Sequence, residues 1–264
     1  MTAVSVDGMA FVKSDPAARP QFFEWEAAGL DWLREGEASG GVRCVEVLRV
    51  TPGRIELEEV RQERPSAATA RRFGRELART HDTGADAFGA PPSGWTGPAY
   101  IGRRPMPCAP DASWGRFYAE QRVRPFLAPA LEAGNLRPED ARTVERALEQ
   151  VSRGAFDDGD APARLHGDLW TGNVLWSTQG AVLIDPAAHG GHRETDLAML
   201  ALFGLPRLDE VMAGYGEVHP LREGVQERVP LHQLHPLAVH AAGHGPSYGR
   251  ALADAAARVL ELAG

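Results

Sequence analysis

The sequence predicts an α+β protein in two lobes: a small mixed α/β lobe over residues 1–60 and a mostly helical lobe over residues 61–264. Three observations predict it. Strand-like alternation is concentrated in the first sixty residues, with one later hairpin. Helical periodicity takes over from Ser66 onward. A chain of 264 residues with 43% hydrophobic content can also bury a substantial core.

In the first lobe, "VSVDGMAFVK" alternates around Asp7-Gly8, a two-residue hairpin signal, and puts Lys13 near the end of the second strand. After Pro20, "QFFEWEAAGLDWLREG" spaces Phe23, Ala27, Leu30 and Leu33 along one helix face, with Gly36 as the stop. The runs "VRCVEVLRV" and "RIELEEV" read as two strands joined by the turn Thr51-Pro52-Gly53. In the second lobe, "SAATARRFGRELARTH" begins a helix capped by Ser66, with Phe73, Leu77 and His81 on one face. Residues 84–112 are rich in Gly and Pro, a long loop of the kind that carries function. Helices are expected at Trp114–Phe126, Pro138–Arg153, Glu194–Phe203, Leu208–Tyr215, His232–Ala242 and Ser247–Leu262, the first broken or kinked by Pro125 and Pro129. Between them, "NVLWS" and "AVLID" form a hairpin around Gly180.

Composition excludes several function classes. A formal charge of −8 argues against a nucleic-acid partner, because phosphate binding normally shows as a basic patch. No apolar run approaches the ~20 residues of a membrane helix, and the N-terminus lacks the pattern of a signal peptide. Cys44 and Cys108 read as free thiols, so the expected location is the cytoplasm. The oligomeric state is open.

The stretch "LHGDLWTGNVLWSTQGAVLIDPA" carries the chemistry. It holds Asp168, Asn173 five residues later, and Asp185 opening the segment after the hairpin. The D-x-x-x-x-N interval with a downstream Asp is that of kinase catalytic loops. Phosphoryl transfer has a loose transition state, so the protein chiefly positions groups and offsets negative charge. Asp168 would orient the attacking hydroxyl and accept its proton. Asn173 and Asp185 supply hard oxygen ligands to Mg²⁺ on the triphosphate of ATP. Asn173 is one of two asparagines in the chain.

Lys13 is the only lysine among 28 basic residues. Lysine is a compact ammonium that an arginine fork does not replace at a tight site. A strand lysine on the α- and β-phosphates, held by a glutamate of the next helix, completes the kinase pattern. Glu26, thirteen residues on, is that glutamate, with Glu24 as the competitor on another face. "LEEV" ends the small lobe where a hinge should present Glu58, Glu59 and Val60 to adenine. His219, His232, His235, His240 and His244 suggest a metal cluster, but no Cys or acidic partner falls in register, so they read as packing and hydrogen-bonding groups.

"HGDLWTGNVL", "LIDPA", "GHRETDLAMLALFG" and "FFEWEAAGLDWL" together resemble the fructosamine kinase (ketosamine 3-kinase) family, relatives of the aminoglycoside phosphotransferases. Trp170, and His192-Arg193-Glu194 ahead of Asp196, are the more specific parts of the match, which runs from about Met9 to the end. The resemblance implies a bilobal protein-kinase-like fold and ATP-dependent phosphorylation of the 3-hydroxyl of a small-molecule or protein-linked ketosamine. By position it makes Asp168 the proton acceptor, Asn173 and Asp185 the metal ligands, and Glu58 to Val60 the nucleotide hinge, with Trp170 beside the substrate. The family has a first strand and a glycine-containing phosphate loop before the hairpin. Only three residues precede Val4 and Gly8 belongs to the turn, so a truncated small lobe lacking both is expected. Trp95, Trp114 and Phe117, in or beside the long loop, are the further aromatic candidates for a sugar-binding surface. The alternatives are a kinase of another small alcohol (aminoglycoside, choline or sugar) and a nucleotide-binding pseudokinase.

Overall fold

The fold is a computed structural model that describes residues 2–6 and 10–264, so the Asp7-Gly8 turn lies outside the described residues. Two strands, β1 (Thr2–Val6) and β2 (Ala10–Ser14), pair antiparallel with Val4 opposite Val12. Helix α1 (Phe22–Arg34) follows and runs into a 3₁₀ turn through Gly36. It buries Phe23, Leu30 and Leu33 completely, the stripe expected from the spacing. The run read as one strand is split. β3 (Arg43–Cys44) pairs parallel with a later strand, and β4 (Val47–Thr51) turns back to pair with β5 (Arg54–Glu58). The small-lobe sheet has the order β1-β2-β5-β4.

Helix α2 (Ala67–Asp82) starts where Ser66 accepts from the Thr69 amide at 3.1 Å, so the cap is as read. The long loop contains a small hairpin, β6 (Tyr100–Ile101) and β7 (Arg104–Pro105). The expected helix from Trp114 is interrupted just ahead of Pro125 and continues past Pro129. After α3 (Trp114–Phe117) a π-helical stretch, Tyr118–Val123, leads into α4 (Arg124–Glu132). Pro125 sits in the first turn of α4, where its missing N–H has no helical partner to lose, and so starts a helix instead of ending one. Then come α5 (Pro138–Ser152), β8 (Ala163–Leu165), the hairpin β9 (Val174–Ser177) and β10 (Gly180–Leu183), and β11 (His189–Gly191). The chain ends with α6 (Arg193–Leu202), α7 (Leu208–Val218), α8 (Val225–Ala241) and α9 (Pro246–Ala263). α8 begins seven residues before the expected His232 and carries Pro230 and Pro236 inside it. Burial of Leu231, Leu234 and Leu237 outweighs the proline cost there.

Two apolar cores hold the molecule. One lies within the helical lobe, around Tyr118, Phe126, Leu148, Leu234 and Val259. The other joins Phe23, Leu30 and Ile55 of the first lobe to Phe73, Leu77, Leu183 and Tyr215 of the second. The β3–β10 pairing crosses the same boundary. The cleft between the lobes is therefore braced from behind by a shared core. No helix among the described residues is long and apolar enough to cross a membrane.

Candidate active site

β2 places Lys13 in the interior, 4% exposed, with Nζ donating to Glu26 Oε1 at 2.7 Å. Glu26, on the buried face of α1, takes this role and Glu24 does not. The same ammonium contacts the Asp185 carboxylate. A point charge on a flexible stem can sit between two carboxylates that converge from different elements, as a rigid fork could not.

The segment after β8 turns sharply at Gly167, whose φ is +79°. A Cβ there would lie 2.2 Å from the Ala187 carbonyl oxygen, so glycine is required. The turn is clamped by Asp196 of α6, whose two carboxylate oxygens accept from the amides of His166 (2.8 Å) and Gly167 (3.0 Å). Burial would raise the Asp196 carboxyl, but the His81 hydrogen bond and charge, with the His166 amide, hold it below the usual carboxylate value. It remains an anion whose oxygens accept backbone bonds.

Asp168 follows directly. Asn173 Nδ2 donates to its backbone oxygen at 2.8 Å and to Oδ2 at 3.2 Å. Burial pushes the Asp168 carboxyl up to about 7, against the lowering effect of the Asn173 amide. Asp185, after β10, adopts a left-handed backbone (φ +53°), which aspartate tolerates, and its side chain is 40% exposed. With its nitrogen spent on Asp168, Asn173 keeps its amide oxygen available. That oxygen and the Asp185 carboxylate form a hard-oxygen pair that fits a divalent cation such as Mg²⁺.

Lys13, Glu26, Asp168, Trp170, Asn173 and Asp185 thus line one cleft of about 210 Å³. Glu58, Glu59 and Val60 do not line it with them. Glu58 ends β5, its amide donates to the Glu46 oxygen at 3.0 Å and its carboxylate pairs with Arg43. Trp170 is 38% exposed and lies edge-on to Phe203 at 6.0 Å. Gly172 makes room for it, since a Cβ there would be 2.3 Å from the indole. The other aromatic candidates divide differently. Trp114 and Phe117 are buried in the helical core, and Trp95 packs on Trp25 at 5.7 Å. The cleft instead draws Phe22, Trp25, Tyr100 and Arg103 into its lining. Those four, and the clamp by Asp196, escaped sequence reasoning. The signals for them were the amphipathic α1, the long loop over residues 84–112 that holds Tyr100 and Arg103, and the quoted "GHRETD" stretch.

The histidines are structural. His232 Nδ1 bonds Thr195 Oγ1 at 3.0 Å, His235 Nδ1 bonds the Arg122 carbonyl oxygen at 2.6 Å, and burial lowers His232 to about 4. An acidic neighbour does exist, contrary to the register argument. His192, Glu194 and His232 bring ligand atoms within 4.8 Å of one another. However, Glu194 is engaged by both arms of Arg228 at 2.6 and 2.9 Å. His192 Nδ1 accepts from the Glu194 amide, which puts its proton on Nε2, facing Asp158. The cluster is a hydrogen-bonded network around the Glu194–Arg228 ion pair.

A crystal structure of a candidate fructosamine-3-kinase from Thermobifida fusca is 48% identical, with a TM-score of 0.87 over 96% of this chain and 85% of its own. A probable ketoamine kinase of Thermus thermophilus is 31% identical over 247 residues, 93% of this chain and 85% of that protein. One of Enterococcus faecium is 31% identical over 243 residues, 90% and 83% respectively. An aminoglycoside phosphotransferase at 15% identity, with a TM-score of 0.56 over 99% of this chain and 88% of its own, shares the protein-kinase-like fold alone. The family model described as Fructosamine kinase matches residues 2–262. The chain is a phosphotransferase that belongs to the fructosamine kinase family.

Proposed function

We propose that the protein is a ketosamine 3-kinase, moving the γ-phosphoryl of ATP to the sugar 3-hydroxyl of a fructosamine or ribulosamine. The observation that carries this reading is the convergence, in one cleft, of Lys13 from the first lobe with Asp168, Asn173 and Asp185 from the second, beside an exposed tryptophan.

Lys13, fixed by Glu26, meets the α- and β-phosphates, exchanging its contact with Asp185 for them. Asn173 and Asp185 would hold a divalent cation, which when bound offsets charge on the triphosphate. Asp168, oriented by Asn173 Nδ2 and by the turn that Asp196 clamps, accepts the proton of the attacking hydroxyl. The new bond forms between the sugar O3 and the γ-phosphorus as the bond to the bridging oxygen of ADP breaks. A carboxyl lifted to about 7 suits this work, because a base near the working pH combines availability with driving force. The exposed Trp170 face suits a sugar ring and a cationic amine. The carboxylates of the cleft, Glu26, Asp168 and Asp185, are already committed to Lys13 or Asn173. They leave no spare row of acids for a polycationic aminoglycoside.

A coupled ADP-release assay with fructosyl-lysine, ribulosyl-lysine, a free hexose, choline and kanamycin tests the substrate class. Turnover should be confined to the two ketosamines. Kanamycin or choline turning over above both would reject the proposal.

A further inference from the structure

The active-site cleft shares the tip of the β6–β7 hairpin with a second, larger concavity. A groove of about 920 Å³ shares Gly102 and Arg103 with the cleft and runs on past α4 to the corner between α8 and α9. A second line connects the two. Rings step from Trp170 to Phe203 (6.0 Å), to His240 (4.8 Å) and to His244 (5.0 Å), which lines the groove. The floor consists of Phe126 and Val239 among four prolines, an apolar and stiff surface that loses little freedom when something docks on it. The ionisable residues around it are Arg19, Arg103, Arg104 and His244, and none of the described residues lining it is an acid. Arg103 is paired with Asp15 at 2.5 Å and the Arg104 guanidinium is anchored on the Ala242 carbonyl oxygen, whereas Arg19 is exposed. On a chain of net charge −8, Arg19 and Arg104 give the groove a local field of the opposite sign.

We propose that this groove seats the polypeptide on either side of a sugar-modified lysine, with a preference for acidic flanking residues. The inference rests on the ketosamine reading of the cleft. With the sugar under Asp168, the four-methylene lysine stem leads its backbone out of the cleft at the hairpin, where the groove begins. Flanking carboxylates then meet Arg19 and Arg104, and aliphatic side chains lie on the proline floor. These contacts are made equally before and during phosphoryl transfer, so they act on KM and not on kcat.

The test compares free ribulosyl-lysine with two peptides carrying ribulosyl-lysine, one flanked by Asp and Glu and the other by Arg. The acidic peptide should show a KM roughly tenfold below that of the Arg-flanked one at equal kcat, the sum of a few exposed ion pairs, and the gap should shrink at high salt. Arg19 lines the groove and not the cleft. Arg19→Glu should therefore narrow or invert the peptide preference and leave free ribulosyl-lysine kinetics unchanged. Turnover of all three substrates with equal peptide KM values overturns the groove inference alone, as does a preference that survives Arg19→Glu. A dimer in sedimentation that Arg19→Glu dissociates gives the groove to a second copy of the chain and overturns it too. No turnover of ribulosyl-lysine or fructosyl-lysine, free or in these peptides, overturns the proposed function, and the groove inference with it.

Discussion

Replacing Asp168 with asparagine should abolish phosphoryl transfer and, at the same time, stabilise the protein at alkaline pH. Burial lifts the carboxyl to about 7. A carboxyl whose folded pKa lies above its unfolded value is penalised wherever the fold must hold it ionised. The penalty starts near pH 4, where the unfolded chain ionises, grows with rising pH and is complete above about pH 7. A displacement of about three units corresponds to about 4 kcal/mol. Asp168 is only partly buried against the cleft, and solvent screening reduces this to about 2 kcal/mol. For a chain of this size that is a rise in Tm of about 4–8 °C at pH 8, fading toward zero at pH 4. Melting curves of both proteins from pH 5 to pH 8 without nucleotide, beside ADP release and a calorimetric titration with Mg·ATP, check all three expectations. Nucleotide affinity should stay within a few-fold, because Lys13, Asn173 and Asp185 are untouched. Retained turnover would refute the role of Asp168, and a Tm difference independent of pH would refute the burial argument.

Lys13→Arg keeps the charge but should cost about a hundredfold or more in kcat/KM, since a fork cannot fit between Glu26 and Asp185, and misplacement of about 1 Å is enough for that loss. Glu26→Gln should be milder, and the double variant less than additive in steady-state kinetics because the pair acts as a unit. Asp196→Asn removes one of the two oxygens that hold the His166 and Gly167 amides. It should lower stability by about 2 kcal/mol in denaturant melts, as for a bond to a charged group, and reduce kcat more than Mg·ATP affinity.

Local elements were legible where one residue type has one physical use. Ser66 caps α2 because its hydroxyl replaces a missing helical acceptor, and that signature survives in any tertiary setting. The early start of α8, with Pro230 and Pro236 inside it, was not legible because a proline's cost depends on its position in the turn and on what the helix buries, neither visible in a periodicity count. β8 and β11 were missed since three residues are too few to show alternation, and each exists through the other: His189 faces Leu165 and Gly191 faces Ala163. β3 separated from β4 for a similar reason. Its partner, β10, lies more than a hundred residues away in sequence.

The candidate site divides along the same line. Asp168, Asn173 and Asp185 lie within eighteen residues of one another, so their mutual placement follows from a turn and a hairpin that the sequence spells out. Lys13 comes from another lobe and was found only because composition singled it out. The groups that arrive from a distance without such a mark, Arg103 at a hairpin tip and Asp196 behind the turn, needed the fold. Their positions also relate the two concavities. Asp196 holds the Asp168 turn from behind through two backbone amides, so the reactive carboxyl has a fixed address. The β6–β7 tip instead presents Gly102 and Arg103 to the cleft on one side and to the groove on the other. Under the groove proposal, an acceptor held at that tip meets the Asp168 carboxyl and the groove together. On that proposal, selectivity for what surrounds the sugar varies through the hairpin and groove while the Asp168, Asn173 and Asp185 geometry stays the same.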